Sequence, residues 1–185
     1  MNKNGYWSHD YSASVKLLRE YGSRNHIDIG CGNGAFLAYL HKEISSVRLS
    51  GLDYAAEMVK KSRNRLPDAE IVEGDAEKMP LPDSAFDSVS CHMSIHHYPH
   101  PERSLSEMYR ILKEGGIVLI NDLTGPGWMI RAMNWSFKHW NTGDHAIYAE
   151  EEMKTMVREA GFCDIRSRKL TPFSYICYGR KPEKT

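Results

Sequence analysis

Short runs rich in Val, Ile and Leu alternate with segments of helical periodicity from about residue 25 onward. This alternation predicts parallel strands joined by crossover helices, the pattern of an α/β fold. We therefore expect a three-layer, Rossmann-like unit that forms one domain over residues 1–185. The seven predicted strands lie near 26–30, 47–53, 69–73, 86–92, 116–122, 162–170 and 173–179.

The last two predicted strands break the parallel pattern. Only Thr171 and Pro172 separate them, whereas a parallel crossover needs a dozen residues or more. The two strands are therefore predicted to form an antiparallel hairpin at the end of the chain.

Two of the predicted helices carry clear end signals. Pro101 suits the first turn of one helix, which is predicted to run to about Leu112 and to stop at the pair of glycines at 115–116. A run of three glutamates at 150–152 complements the dipole at the start of the last helix, and Gly161 ends that helix.

Charge and composition argue against several classes of protein. The chain has 24 basic and 24 acidic side chains in 185 residues, so its global charge does not favour nucleic acid or an anionic membrane. No stretch approaches the roughly 20 apolar residues of a membrane span, and no signal peptide is evident, so we expect a cytoplasmic protein. The four cysteines are scattered without metal-ligand spacing, which predicts neither disulfides nor a metal site.

A glycine-rich turn follows the first predicted strand. Gly30, Gly32 and Gly34 leave no Cβ atoms where the chain turns into a helix, so a ligand can approach the backbone N–H groups there. Asp53 ends the second predicted strand, where a carboxylate can accept both hydrogen bonds of a ribose diol. Both features predict an adenosine-bearing cofactor, and both fit a nicotinamide dinucleotide as well as S-adenosylmethionine.

A third segment separates these two cofactors. Residues 73–83 lead from a strand with an acidic end into a proline-rich loop. With this segment, the chain resembles the class I S-adenosylmethionine-dependent methyltransferases, in particular the group typified by ubiquinone and menaquinone C-methyltransferases. The resemblance covers about residues 24–180 and includes the segments 86–92 and 110–116. It implies a seven-stranded, mostly parallel sheet whose last strand is reversed.

The resemblance also implies how the cofactor is held. Asp28 would face the amino group of the methionine moiety, and Asp53 would hold the ribose hydroxyls. Tyr54 and Met58 would lie against the adenine. The cofactor carries a sulfonium, an ammonium and a carboxylate but no phosphate, so acidic side chains with backbone donors suit it better than a basic clamp.

Further contacts to the adenine and the methionine complete the implied set. Asp75 would accept a hydrogen bond from the exocyclic amine of adenine, and the Ala76 N–H would donate to the ring. The segment 86–92 would end beside the methionine moiety. The full predicted cofactor set is Asp28, Gly30, Cys31, Gly32, Asp53, Tyr54, Met58, Gly74, Asp75, Ala76, Cys91 and His92.

Two histidines after the fourth predicted strand are the candidates for acid–base chemistry. Methyl transfer is an in-line displacement, and much of its catalysis comes from holding the acceptor close to the methyl group in a dry pocket. A base is not obligatory, but an oxygen or carbon acid often requires deprotonation, and histidine titrates near neutral pH. His96 and His97 are therefore the predicted catalytic residues, with packing in the loop as the alternative.

The segment 123–148 is predicted to be an insertion on the acceptor side. Met129, Met133, Phe137 and Trp140 recur in it at helical spacing. We expect this face to pack in the core or at a homodimer contact, with the lining of an apolar acceptor pocket as the alternative.

Residues 1–23 are predicted to form an N-terminal aromatic helix. Tyr6, Trp7 and Tyr11 give this segment its aromatic character. The segment would close over the cofactor as a lid or anchor the first helix.

The predicted function is methyl transfer from S-adenosylmethionine to a small, partly apolar molecule, with S-adenosylhomocysteine as the other product. Nucleic acid is not expected as a partner, since residues 91–94 lack the proline that amino-methylating enzymes place after the fourth strand. One alternative is a non-catalytic module or partner subunit that binds the cofactor. The other is an NAD-dependent oxidoreductase, which would need a second nucleotide-binding half.

Overall fold

The structure is a computed structural model that describes residues 11–140 and 143–184. The predicted aromatic residues Tyr6 and Trp7 lie outside this part of the chain. The helices are α1 (Ser12–Glu20), α2 (Ala35–Glu43), α3 (Ala56–Arg65), α4 (Pro101–Ile111), α5 (Gly127–His139) and α6 (Glu150–Glu159), with a 3-10 turn at Ile95–His97. The strands are β1 (Asn25–Ile29), β2 (Arg48–Asp53), β3 (Glu70–Glu73), β4 (Phe86–His92), β5 (Leu112–Leu123), β6 (Cys163–Thr171) and β7 (Ser174–Arg180).

All seven strands form one sheet in the order β3-β2-β1-β4-β5-β7-β6. Strands β3, β2, β1, β4 and β5 pair in parallel, while β7 pairs antiparallel with both β5 and β6. The antiparallel pairing of β6 with β7 follows from the two-residue loop between them. The predicted fold class, including the C-terminal hairpin, is confirmed.

Helices cover both faces of the sheet, and the sheet separates the hydrophobic core into two clusters. Leu105 of α4 and Val157 of α6 belong to one hydrophobic cluster, whereas Leu18 of α1, Leu37 of α2 and Val59 of α3 belong to the other. Alternate residues of β5 reach opposite clusters, since successive side chains of a strand point to opposite faces. The three-layer arrangement follows directly from this alternation.

Helix α4 ends close to the predicted Leu112, but β5 begins before the predicted residue 116. The helix ends at Ile111 and the strand begins at Leu112, so the glycine pair lies inside β5. A Cβ at Gly116 would lie 2.9 Å from Asp87 O and 2.8 Å from Lys113 O. This glycine therefore permits close backbone packing at an irregular strand start and does not terminate the helix.

The predicted helix in segment 123–148 is present as α5, but its aromatic face is not in the core. Of the four residues on the predicted face, Met129, Met133 and Phe137 are half-buried and Trp140 is 63% exposed. The neighbouring Trp128 and Trp135 are 69% and 59% exposed, and Ile130 is the buried residue of this helix. The expectation of core packing was wrong because helical spacing reveals which residues share a face and not what covers that face. The homodimer contact and the acceptor pocket stay predictions. Among the described residues, no helix is long and apolar enough to cross a bilayer.

Candidate cofactor and acceptor site

A cavity of about 620 Å³ lies where the carboxyl ends of β1, β2 and β3 meet the loop that follows β4. Its size falls in the range of small-molecule sites, and its place at the strand ends is where α/β sheets bind ligands. One wall consists of strand-end residues and the opposite wall is the segment 94–100. The lining residues are Gly30, Leu52, Asp53, Tyr54, Ala55, Gly74, Asp75, Ala76, Glu77, Ser94, His97, Tyr98, Pro99 and His100.

The cavity collects about half of the residues that the sequence predicted for the site. None of its lining residues is Lys or Arg, which agrees with a ligand that lacks phosphate. The predicted residues that line it are Gly30, Asp53, Tyr54, Gly74, Asp75, Ala76 and His97. The predicted residues that lie outside its lining are Asp28, Cys31, Gly32, Met58, Cys91, His92 and His96.

Asp53 is held rigidly at the end of β2. Its Oδ2 accepts a hydrogen bond from Gly32 N–H at 2.7 Å, and its Oδ1 accepts one from Ala55 N–H at 2.9 Å. Each carboxylate oxygen has a further lone pair. The carboxylate is therefore fixed at the cavity wall and can still accept hydrogen bonds from a diol.

Most backbone N–H groups of the glycine turn donate hydrogen bonds within the protein. Gly30 and Cys31 N–H both donate to Leu52 O, at 2.8 and 3.0 Å, and Gly34 N–H donates to Cys31 O at 3.0 Å. With the Gly32 N–H donated to Asp53, the expectation of free backbone donors in this turn was wrong. These bonds extend the pairing of β1 with β2 beyond the end of the strand.

Gly30 is needed where the two walls of the cavity touch. It has φ +69°, and a Cβ there would overlap the Ser94 side chain and lie 2.7 Å from Tyr98 Oη. Gly32 has φ +54°, yet no atom lies within 4 Å of its Cβ position. At position 30, both the backbone conformation and the lack of space require glycine, whereas at position 32 only the backbone conformation favours it.

The loop after β3 forms the part of the cavity assigned to adenine. Asp75 Oδ1 accepts from Glu77 N–H at 2.8 Å, which shapes the turn around Ala76. Glu77 Oε1 accepts from His100 N–H at 2.8 Å and so joins this loop to the opposite wall. The Tyr54 side chain is 79% exposed beside the cavity, where it is free to cover a planar ring.

Asp28 lies beneath the turn, within a buried polar network. Its Oδ1 accepts from Ser90 Oγ at 2.6 Å and lies 3.1 Å from His92 Nδ1, and His92 Nε2 lies 2.9 Å from Ser14 Oγ of α1. Only 2% of Asp28 is exposed. The network orients this carboxylate below the cavity, and its contact with a methionine amino group stays a prediction.

The two predicted cysteines are buried and neutral. Burial, followed by the charges of Asp28 and Asp53, raises the pKa of the Cys31 thiol. Burial, followed by the charge of Asp122, raises the pKa of the Cys91 thiol well above its usual value. Both side chains therefore act as small packing groups, because a thiol is nucleophilic only as thiolate.

His96 is clamped between two carboxylates. Its Nδ1 lies 2.6 Å from Asp122 Oδ1, and its Nε2 lies 3.8 Å from Asp144 Oδ1. Burial acts to lower the pKa of His96, but the hydrogen bond and charge of Asp122, with the charge of Asp144, outweigh it and raise the pKa. Asp122 also accepts from the His96 backbone N–H at 3.3 Å, which fixes the ring in the 3-10 turn.

His97 is the predicted catalytic residue that reaches the cavity. Its side chain is 48% exposed, and its Nδ1 lies 2.8 Å from Asp144 Oδ1 and 3.1 Å from Gly143 O. The segment that carries Asp144 is tied to the same turn, since His145 and Ala146 N–H donate to His96 O at 2.8 and 3.2 Å. The two histidines and Asp144 therefore form one unit beside the cavity.

Sequence reasoning missed several residues on the acceptor side. The sequence could have identified Asp122, because this residue lies near the end of the fifth strand, just as Asp53 lies at the end of the second. Asp144 gave no local signal, since its partners precede it by 47 and 48 positions. Ser94, Tyr98 and His100 on the opposite wall were also missed, as was Glu77 in the loop assigned to adenine.

Comparison with known proteins places this architecture in one family. A family model described as a methyltransferase domain matches residues 27–120, which is 94 of the 185 residues. A solved structure of a putative methyltransferase from Bacillus halodurans has the same fold, with a TM-score of 0.76 and 22% identity over 92% of this chain and 99% of that one.

Two curated relatives carry more specific names. The 2-methyl-6-phytyl-1,4-hydroquinone methyltransferase 1 of Oryza sativa is 30% identical over 176 residues, which is 92% of this chain and 51% of that protein. The demethylmenaquinone methyltransferase of Listeria welshimeri is 32% identical over 124 residues, which is 62% of this chain and 52% of that protein. The chain thus spans about half the length of these relatives. With its fold, its strand-end cavity and the family match together, the chain belongs to the class I S-adenosylmethionine-dependent methyltransferases.

Proposed function

We propose that the chain transfers a methyl group from S-adenosylmethionine to a small hydroxylated aromatic acceptor that carries an apolar substituent. The observation that carries the cofactor assignment is the cavity, in which Gly30, Asp53, Asp75 and Ala76 converge from three neighbouring strand ends. The class of acceptor is supported by the names of the two curated relatives, which specify a hydroquinone with an apolar phytyl substituent and a demethylmenaquinone.

The cofactor contacts are proposed from the positions of groups that line the cavity or lie beneath it. Asp53 accepts the hydrogen bonds of the ribose hydroxyls, because it is fixed at the end of β2 with lone pairs to spare. Asp75 and the Ala76 N–H bind the adenine edge, and Tyr54 covers its face. Asp28 acts from below the turn and stabilises the positive charge of the methionine end.

The acceptor is proposed to enter on the wall formed by residues 94–100. S-adenosylmethionine supplies an activated methyl group on its sulfonium. The chain has to hold the acceptor in line with that group and to exclude water. His97 faces this space, and His96 lies behind it, so His97 is proposed to contact the acceptor hydroxyl.

The segment 123–148 is proposed to extend the acceptor wall within a single domain. Asn134 of α5 brackets Ile147, donating from Nδ2 to Ile147 O at 2.9 Å and accepting at Oδ1 from Ile147 N–H at 2.8 Å. Through residues 143–147, α5 is thereby linked to the turn that carries His96. The homodimer and the cytoplasmic location stay predictions.

Two measurements test this function. The first is thermal unfolding with S-adenosylhomocysteine or NAD, because a ligand at 100 times its dissociation constant adds about 2.7 kcal/mol to the native state. We expect stabilisation by S-adenosylhomocysteine and none by NAD. The second is transfer of labelled methyl to a series of hydroquinones with alkyl tails of increasing length, for which we expect kcat/KM to rise with tail length.

The alternatives give different results in the same two assays. Binding of S-adenosylhomocysteine without transfer to hydroquinones, thiols or amines would indicate a non-catalytic module or partner subunit. Transfer to thiols or amines alone would retain the enzyme and replace the proposed acceptor.

A further inference from the structure

Two side chains of the 3-10 turn and one from the segment before α6 point their ligand atoms at one another. His97 Nδ1 lies 2.8 Å from Asp144 Oδ1, His96 Nε2 lies 3.8 Å from it, and ligand atoms of the three residues all fall within 4.8 Å of one another. An ion with bonds of about 2.0–2.1 Å in tetrahedral geometry has ligand atoms about 3.3 Å apart. The observed separations lie on both sides of that value.

Asp122 orients one of the three ligands. In the neutral imidazole, the 2.6 Å hydrogen bond from His96 Nδ1 to Asp122 keeps the proton on that nitrogen and leaves the lone pair of Nε2 directed at the cluster. Histidines that bind metals usually donate their other N–H to a carboxylate or carbonyl in this way. The arrangement Asp122–His96–Asp144 therefore suits metal binding as well as packing of the loop.

The cluster is also held in place by the backbone. Residues 145 and 146 donate to His96 O, so the segment that bears Asp144 cannot move independently of the turn. Gly143 O, at 3.1 Å from His97 Nδ1, adds a carbonyl oxygen to the same group. Two imidazoles and one carboxylate form a ligand set suited to a divalent transition metal such as Zn²⁺, Co²⁺ or Fe²⁺.

The position of the cluster would place such an ion beside the proposed acceptor. His97 lines the cavity and is half-exposed, so an ion bound here would border the space proposed for the acceptor. Three protein ligands leave coordination positions open, and an open position can bind a substrate oxygen and lower the pKa of the hydroxyl, so that its proton passes to water. This role, unlike the binding of the ion itself, rests on the proposed function.

We propose that His96, His97 and Asp144 bind one divalent transition-metal ion that holds and activates the hydroxyl oxygen of the acceptor. The sequence predicted no metal site because cysteine spacing gave no signal and Asp144 is remote in the chain from the histidine pair. The proposal assigns both histidines as ligands of the ion in place of a free general base.

Titration of the tag-free protein with Co²⁺, followed by its visible absorption, tests the binding directly. We expect saturation at one equivalent, with displacement by Zn²⁺. His97→Ala and Asp144→Asn should each abolish the saturable signal, and Asp122→Asn should weaken binding about 10- to 100-fold. His100→Ala is the matched control, because His100 lines the same cavity without belonging to the cluster, and it should bind Co²⁺ as the wild type does.

Two results would overturn the proposal: no saturable Co²⁺ signal in the wild type, or a signal that survives both His97→Ala and Asp144→Asn. Stabilisation by S-adenosylhomocysteine, measured on the same samples, verifies that each variant is folded. In the wild type the same measurement separates the two proposals, since absence of stabilisation by S-adenosylhomocysteine with saturable Co²⁺ binding would contradict the proposed function and leave the metal site standing.

Discussion

The two walls of the cavity are built in different ways. On the side proposed for the cofactor, the lining groups lie at the ends of strands whose pairing fixes them, as with Asp53 at the end of β2. On the acceptor side, the corresponding groups lie on a 3-10 turn and on the segment before α6, and carboxylate–histidine contacts hold them together. A site can therefore combine a wall specified by sheet topology with one specified by individual side-chain contacts.

Gly30→Ala is expected to have the largest effect, because Gly30 lies where the two walls touch. The left-handed conformation costs a non-glycine residue about 1–2 kcal/mol, and overlap with Ser94 adds about 1–3 kcal/mol. The free energy of unfolding, measured by urea denaturation, should fall by the sum. Gly32→Ala is the matched control, since its Cβ meets no atom within 4 Å, and it should lose only the conformational part. Equal losses would contradict the contact between the walls.

Asp53→Ala is expected to lower the affinity for the cofactor. Hydrogen bonds to a charged group contribute about 1.5–3 kcal/mol each, so losing two ribose contacts should weaken binding of S-adenosylhomocysteine about 100-fold or more. Isothermal titration measures this change. Asp68→Ala removes an exposed carboxylate near the start of β3 and should bind as the wild type does. Near-normal affinity in Asp53→Ala would remove this residue from the site.

The glycine turn and the strand-end acids illustrate what sequence can predict. Asp53, Asp75 and Ala76 lie at the cavity as predicted, because hydrophobic patterning locates the strand ends and the resemblance to the methyltransferases identifies which residues there contact the cofactor. The backbone donors of the turn were misplaced, because their engagement with Leu52 and Asp53 depends on how two strands continue to pair past their ends. The pairing of His97 with Asp144 depends on a contact across 47 positions, which no local pattern encodes.

The buried network around Asp28 predicts a pH dependence of stability. His26 of β1 is fully buried in it, with its Nε2 3.0 Å from Ser90 Oγ. Burial, followed by the charge of His92, lowers the pKa of His26 from 6.5 to about 3. The unfolded chain therefore binds a proton between these values that the folded chain does not. Stability should fall as pH drops from about 6.5 toward 3, by up to about 1.4 kcal/mol per pH unit.

His26→Gln checks the origin of this slope in urea denaturation at a series of pH values. The variant should flatten the dependence, because the group that gains a proton on unfolding is gone. His41→Gln, at an exposed position of α2, is the control and should keep the wild-type slope. A slope that His26→Gln leaves unchanged would assign the pH dependence to other groups.

Trp128→Ala on the acceptor side should have the smallest effect on stability. Its side chain is 69% exposed, and surface substitutions usually change the free energy of unfolding by less than about 0.5 kcal/mol. Ile130→Ala, two positions away and buried, should cost about 2 kcal/mol or more. A large loss in Trp128→Ala, together with a change from dimer to monomer in size-exclusion chromatography, would support the predicted homodimer contact of α5.

A crystal structure of the complex with S-adenosylhomocysteine tests the central claim most directly. The account predicts the ribose hydroxyls on Asp53, the adenine between Tyr54 and the Asp75–Ala76 loop, and the sulfur directed toward the wall of residues 94–100. Binding of the nucleoside anywhere other than the cavity at the ends of β1, β2 and β3 would contradict it.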